Sequence, residues 1–144
     1  MRKIQWIMFV LVLCGASVLA AQSNVSQYRI ANRIQVGGDG FWDYLAVDDA
    51  AGRLFLSHGT VVDVVDLKTL KPVASIQDTK GVHGIALARD LKKGFITCGR
   101  DSCVAVFSLD SLKVTARVPA GRNPDAVLYE PSSHRVFAYH GGSA

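Results

Sequence analysis

The chain has no nucleophile elbow, no glycine loop of the kind that cradles a phosphate and no zinc-binding helix motif. Serine-hydrolase, nucleotide-binding and zincin chemistries therefore lack their local signatures. No basic run exceeds Lys92-Lys93, so there is no stripe on which to lay a nucleic acid or an anionic membrane. Nothing of helical period competes with the short apolar alternations that fill the chain. Its longest apolar stretch, Ile4 to Val12 with Gln5 as the polar break, is shorter than the roughly 20 residues that span a bilayer. Cysteine is scarce, at 3 residues. Cys14 falls in the N-terminal segment, and Cys98 and Cys103 alone cannot complete a metal centre.

What is present begins with an export signal. Arg2 and Lys3 precede the apolar run, and Val18-Leu19-Ala20 supplies small residues for cleavage before Ala21. Residues 1–20 read as a signal peptide and residues 21–27 as a leader, which predicts a periplasmic or secreted protein with no membrane attachment after cleavage. Lipid attachment at Cys14 is disfavoured because Leu13, not a small residue, precedes it. Asn24-Val25-Ser26 matches a glycosylation acceptor, a motif too weak to use. Of 16 Lys plus Arg against 12 Asp plus Glu, removal of Arg2 and Lys3 leaves 14 against 12, an ordinary +2. No nucleic-acid partner is expected.

The fold is announced by a repeat. Asp43 to Gly59 and Asp125 to Gly141 superpose without a gap, 82 positions apart, and share the Asp, an acidic turn residue (Asp48, Glu130), an Arg, a Phe and a closing His-Gly. A diverged copy runs from His83 to Gly99, giving a period of about 41 residues, in the range of propellers and solenoids. Each unit reads as four short strands: Tyr44 to Val47, Leu54 to Ser57, Val61 to Asp66 and Pro72 to Ile76, then Ile85 to Ala88, Phe95 to Cys98, Cys103 to Ser108 and Val114 to Val118. A lone four-stranded sheet cannot bury both faces, whereas radial stacking does. The expected class is all-β, a β-propeller of four-stranded blades.

The openings Gly121-Arg122-Asn123-Pro124-Asp125-Ala126-Val127, the Arg-Leu-Phe-Leu-Ser and Arg-Val-Phe second strands and the Val-Val-Asp-Leu-Lys-Thr-Leu segment resemble the YVTN-type (YncE-like) β-propeller repeat of bacterial exported proteins. The consensus tetrapeptide itself appears here as Leu-Phe-Leu-Ser, Phe-Ile-Thr-Cys and Val-Phe-Ala-Tyr. The resemblance implies a ring of usually seven blades that serves as a ligand- or partner-binding surface, and it assigns no activity.

Blade one is placed at 40–78, blade two at 79–120 and a partial third at 121–144. Tyr28 to Val36 reads as an outer strand that closes the ring, and the chain as the N-terminal part of a longer propeller, because at least about four blades are usual. Cys98 and Cys103 bracket Gly99-Arg100-Asp101-Ser102. Residues flanking so short a hairpin loop lie about 4.5–5.5 Å apart, within disulfide range. In an oxidising compartment a Cys98–Cys103 bond is expected, with two buried thiols as the alternative.

In a blade, the turn before the first strand and the turn after the second lie on the same side of the disk. One face thus gathers Trp42, Asp43, His58, His83, Asp125 and His140. Carboxylates and imidazoles together can bind a divalent ion or move protons. Alternatively, each Asp caps backbone N–H groups or holds the His of its own blade, at the shared spacing of 15 residues (43 to 58, 125 to 140). His83, replacing Asp in the middle copy, breaks the symmetry. Trp42 either stacks on a ligand ring or wedges between blades, and His134 sits in a polar turn. No residue is assigned as catalytic or as a metal ligand, and no cofactor is identified. The expected function is a non-catalytic exported scaffold whose loop face binds a small molecule or protein. The alternative is a propeller enzyme, a metal-dependent hydrolase or lactonase or a quinone-type dehydrogenase.

Overall fold

A computed structural model describes residues 28–142. The signal segment, the 21–27 leader, Cys14 and Asn24-Val25-Ser26 lie outside them. By itself, the segment Tyr28–Arg33 has no regular secondary structure. The expected closing strand at 28–36 carries no strand geometry and belongs to neither four-stranded sheet.

From Ile34 onward the described chain is built of ten strands: β1 (Trp42–Asp48), β2 (Arg53–His58), β3 (Val61–Asp66), β4 (Lys71–Ile76), β5 (Val82–Ala88), β6 (Lys93–Cys98), β7 (Cys103–Ser108), β8 (Val114–Pro119), β9 (Pro124–Glu130) and β10 (Arg135–His140). A single 3-10 turn, Arg89–Leu91, links β5 to β6. β1 to β4 and β5 to β8 form two antiparallel sheets in chain order, and β9 pairs with β10. The first strands are neighbours, β5 lying against both β1 and β9, as radial blades require.

Period-two alternation sets which side chains go inside. In β3, Val62 and Val64 are fully buried while Val61 and Asp63 are not. Phe55, Val62, Val64 and Ile76 of the first sheet meet Ile85, Ile96, Ala105 and Phe107 of the second. The Phe55 and Phe107 rings lie 5.7 Å apart between centroids. Each such side chain contributes roughly 1.5–3 kcal/mol by leaving water. Gly94 is required in β6 because a Cβ there would lie 2.1 Å from the Phe107 ring. Around this core, the Arg53 Nη1–H donates to the Leu109 carbonyl (2.8 Å), and Arg89 pairs with Asp48 (3.0 Å). These contacts cross from the first blade to the second.

The turns repeat their chemistry. Asp66 accepts the N–H groups of Lys68 and Thr69 (3.0 and 2.6 Å), and Ser108 Oγ accepts those of Asp110 and Ser111 (3.2 Å each). Glu130 accepts from Ser132 and Ser133, each at 2.8 Å. These are local side-chain-to-backbone turns, which favour short acceptors. Hydrogen bonds from Thr69 hold the Asp66 carboxyl below its usual range, and those from Ser133 and Ser132 bring Glu130 down to about 2.

Candidate functional site

Each first strand carries a β-bulge at the same place. Trp42 pairs with His58 and Leu45 with Leu56, so Asp43 and Tyr44 together oppose Ser57. His83 and Gly84 likewise oppose Thr97, and Asp125 and Ala126 oppose Tyr139. The extra residue turns the strand locally and re-aims the side chain at the bulge. This register equates Ser57, Thr97 and Tyr139, so the middle counterpart of Leu-Phe-Leu-Ser is Gly94-Phe95-Ile96-Thr97, one residue earlier than the sequence pattern suggested.

Hydroxyl groups fasten one blade to the bulge of the next. Ser57 Oγ–H donates to the His83 carbonyl, and Thr97 Oγ–H donates to the Asp125 carbonyl. Thr97 Oγ1 also accepts the Gly84 N–H at 2.7 Å. Gly84 permits this approach, since a Cβ there would come within 2.7 Å of the Asp125 carbonyl oxygen. Three bulges are thereby drawn together at one end of the first strands.

The consequence is a cluster of three side chains from three successive blades. His83 Nδ1 lies 2.7 Å from Asp43 Oδ2, and donor atoms of Asp43, His83 and Asp125 all lie within 4.8 Å of one another. His83 is half-buried and both carboxylates are exposed. Beside them opens a cavity of about 450 Å³, lined by Phe41, Trp42, Asp43, His83, Arg100 and Asn123 among others. Gly99 floors it: a Cβ there would meet Asn123 Oδ1 at 2.6 Å and His83 Nε2 at 2.9 Å.

Three of the six residues expected on this face thus converge, Trp42 lines the adjoining cavity, and His58 and His140 make local contacts. His58 is not held by Asp43 of its own blade, as the shared spacing suggested. Its Nδ1 meets Asp63 Oδ2 (2.9 Å) and its Nε2 the Asp39 carbonyl (3.0 Å), so both ring nitrogens are engaged. Trp42 stacks on that imidazole at 3.8 Å and 14° and lines the cavity together with Val82 and His83 of the second blade. Gly38 closes over the ring in a left-handed conformation (φ 117°), and a Cβ there would lie 2.4 Å from His58 Cε1. The Gly37-Gly38-Asp39-Gly40 turn is therefore shaped around His58. His140 Nε2 accepts the Gly121 N–H at 2.9 Å, again not a contact with Asp125.

Asp63 was missed, and Asn123 and Arg100 belong to turns expected on this face but were not singled out. Asp63 could have been found, because it interrupts Val61-Val62-Asp63-Val64-Val65 with a charge that needs a partner. The hydroxyls of Ser57 and Thr97 also stand at one repeat position.

The expected Cys98–Cys103 disulfide is not formed; both are buried free thiols. They are nevertheless register partners across β6 and β7. Their sulfurs take separate polar neighbours: Cys98 lies 3.7 Å from the Ile96 carbonyl, and Cys103 accepts from Arg117 Nη1 at 3.8 Å. Burial, with the neighbouring Cys103, pushes the Cys98 thiol up to about 12.

At the far ends of β5 and β9, Tyr129 donates its hydroxyl to Asp90 (2.6 Å), with His134 Nδ1 3.6 Å from the same carboxylate. Desolvation first, then the Asp90 hydrogen bond, raise the Tyr129 phenol to about 12. His134 is thus placed beside Asp90 rather than simply solvated.

No protein-family model matches the chain, and no curated protein is significantly similar to it. Solved structures are. Hydrazine synthase from Kuenenia stuttgartiensis superposes with a TM-score of 0.67 at 15% identity, covering 81% of this chain and 33% of that one. The β-propeller domain of Myceliophteria thermophila Cps50 (Swd1) gives 0.63 at 17% identity, covering 76% and 35%. Glutaminyl cyclase from Myxococcus xanthus gives 0.52 at 18%, covering 73% and 52%. At these identities the likeness is one of fold. The described residues form a partial β-propeller, two four-stranded blades and two strands of a third, and the chain spans about a third to a half of those structures.

Proposed function

We propose that this chain is an exported, YVTN-type propeller module that binds a small polar ligand through its loop face and performs no chemistry on it. One observation carries the reading: three bulged first strands bring Asp43, His83 and Asp125 into one cluster, and Asp43 and His83 of that cluster line a cavity that also presents aromatic, cationic and amide side chains. Few convergent polar groups in a concave, partly apolar setting are what ligand recognition requires. His58 and His140 are engaged by backbone groups and a neighbouring carboxylate, so among the described residues they stand apart from this cluster. Export rests on the signal segment at residues 1–20.

The test is a saturation-transfer NMR screen of small polar fragments in the presence of a chelator, using the full chain and its Gly99→Leu variant. A Cβ there would crowd Asn123 and His83, so the leucine displaces two side chains that line the cavity. Hits on the wild type should weaken at least ~10-fold in the variant, on the scale of one or two lost contacts. Arg100→Leu, on the exposed rim, gives the same comparison without touching the floor. Hits that survive both changes would place binding elsewhere and sink the reading.

A further inference from the structure

We propose that Asp43, His83 and Asp125 are the protein ligands of a single divalent transition-metal ion, open on its cavity side. This deepens the reading of the loop face as a binding site and rests on it.

The donor set is mixed, one imidazole and two carboxylates, drawn from three separate blades. Three bulges, one per first strand, place these residues at equivalent positions. The middle copy replaces Asp with His, so the set is not a simple repeat of acids. Donor atoms around one ion, each at about 2.0–2.2 Å, are separated by at most about 4.4 Å. The observed limit of 4.8 Å comes within a few tenths of an ångström of that, a distance exposed carboxylates cover by rotating.

Chemistry narrows the ion. Calcium takes about six to eight oxygen ligands, and magnesium mostly waters and carboxylates. An imidazole among two carboxylates suits zinc, manganese, iron, cobalt or nickel. Three protein ligands leave at least one coordination position, and Asp43 and His83 adjoin the cavity. Water or an anionic group from a ligand can occupy it, with Arg100 on the same lining. The other imidazoles compete poorly. Both nitrogens of His58 are engaged, and His140 and His134 sit in separate local contacts. Two hydroxyls hold the backbone of these ligands. Thr97 fixes the Asp125 backbone, and Ser57 fixes that of His83.

The full chain is stripped with chelator and titrated with cobalt(II), read by visible absorption and calorimetry. One equivalent per chain is expected. His83→Ala and Asp125→Asn should each weaken binding at least ~10-fold, since even outer-shell losses cost that much, while His140→Ala leaves it unchanged. Absence of stoichiometric binding, or equal affinity in His83→Ala, overturns the proposal. Should His83→Ala fail to fold, pulsed EPR of the copper-loaded His134→Ala/His140→Ala double variant decides. Imidazole nitrogen coupling supports the site, and its absence refutes it. The two failures stay distinct: fragments that bind in chelator while cobalt does not leave the binding face standing without its metal.

Discussion

Thr97→Val isolates the bond that ties the second blade to the third. Valine matches threonine in shape, so no cavity opens, but the hydroxyl that accepts the Gly84 N–H at 2.7 Å and donates to the Asp125 carbonyl is lost. Thr97 is fully buried, so the Gly84 N–H has no water to turn to, and an unsatisfied buried donor costs about 1–3 kcal/mol. The Asp125 carbonyl retains a second lone pair near an exposed side chain and adds about 1 kcal/mol. The expected loss is therefore about 2–4 kcal/mol, a large share of a domain's usual 5–15. In urea, with a slope of about 2 kcal/mol per molar, the midpoint should fall by roughly 1–2 M at unchanged slope. Thr97→Ser keeps the hydroxyl and loses one methyl, about 1 kcal/mol, so serine should outrank valine. Apolar burial alone predicts the opposite order. A valine variant as stable as the wild type, or more stable than the serine variant, would refute the reasoning.

Two further outcomes follow from titrating groups. Glu130 titrates near 2 in the folded chain, held down by Ser133 and Ser132; its contribution is complete above the ordinary carboxyl value of 4.5 and disappears as pH falls from there toward 2. Carbon-detected NMR of the Glu130 carboxyl should show that low midpoint in the wild type and a rise when Ser132 and Ser133 are both alanine, and a midpoint near 4.5 in the wild type contradicts the turn geometry. Cys98, raised to about 12 by burial, has the opposite sign: its contribution is present below the thiol's ordinary 9.0 and is lost as pH climbs toward 12. Native protein at pH 8 should therefore leave Cys98 unlabelled by a thiol reagent until denaturant is added, whereas diamide added to the denatured chain before refolding, with the Cys98–Cys103 register favouring that pair, should remove two hydrogens and stabilise by about 2 kcal/mol through closure of the short loop. Rapid labelling in the native state, or no oxidation, would overturn the burial or the register respectively.

Much of this was legible in the chain. Turn residues and apolar alternation located every strand of the two complete blades to within a few residues, because β-turn chemistry at Asp66, Ser108 and Glu130 is local and survives divergence. The repeat also placed Asp43, His83 and Asp125 on one face. Their grouping into a cluster was not legible, because the pairing crosses blades. A shared spacing of 15 residues pointed to Asp43 with His58, yet the bulge turns Asp43 toward the next blade and leaves His58 to Asp63. A bulge is one extra residue against its partner strand, and that count is invisible until register is known. The segment at 28–36 is expected to pair with a last blade that the described residues do not include, and without that hydrogen-bonded neighbour it shows no strand geometry.

The hydroxyl hooks run one way. Ser57 reaches forward to the carbonyl of residue 83, Thr97 forward to that of residue 125, and at the third position stands Tyr139, 57% exposed. Each blade therefore selects its successor, in the manner of a join with a male and a female side. A blade moved by recombination into a new neighbourhood keeps its own bulge but inherits its fastening from whatever precedes it. Shuffling in this fold should succeed when the cut falls after the bulge rather than at the visible blade boundary, so that the hook and the carbonyl it grips travel together.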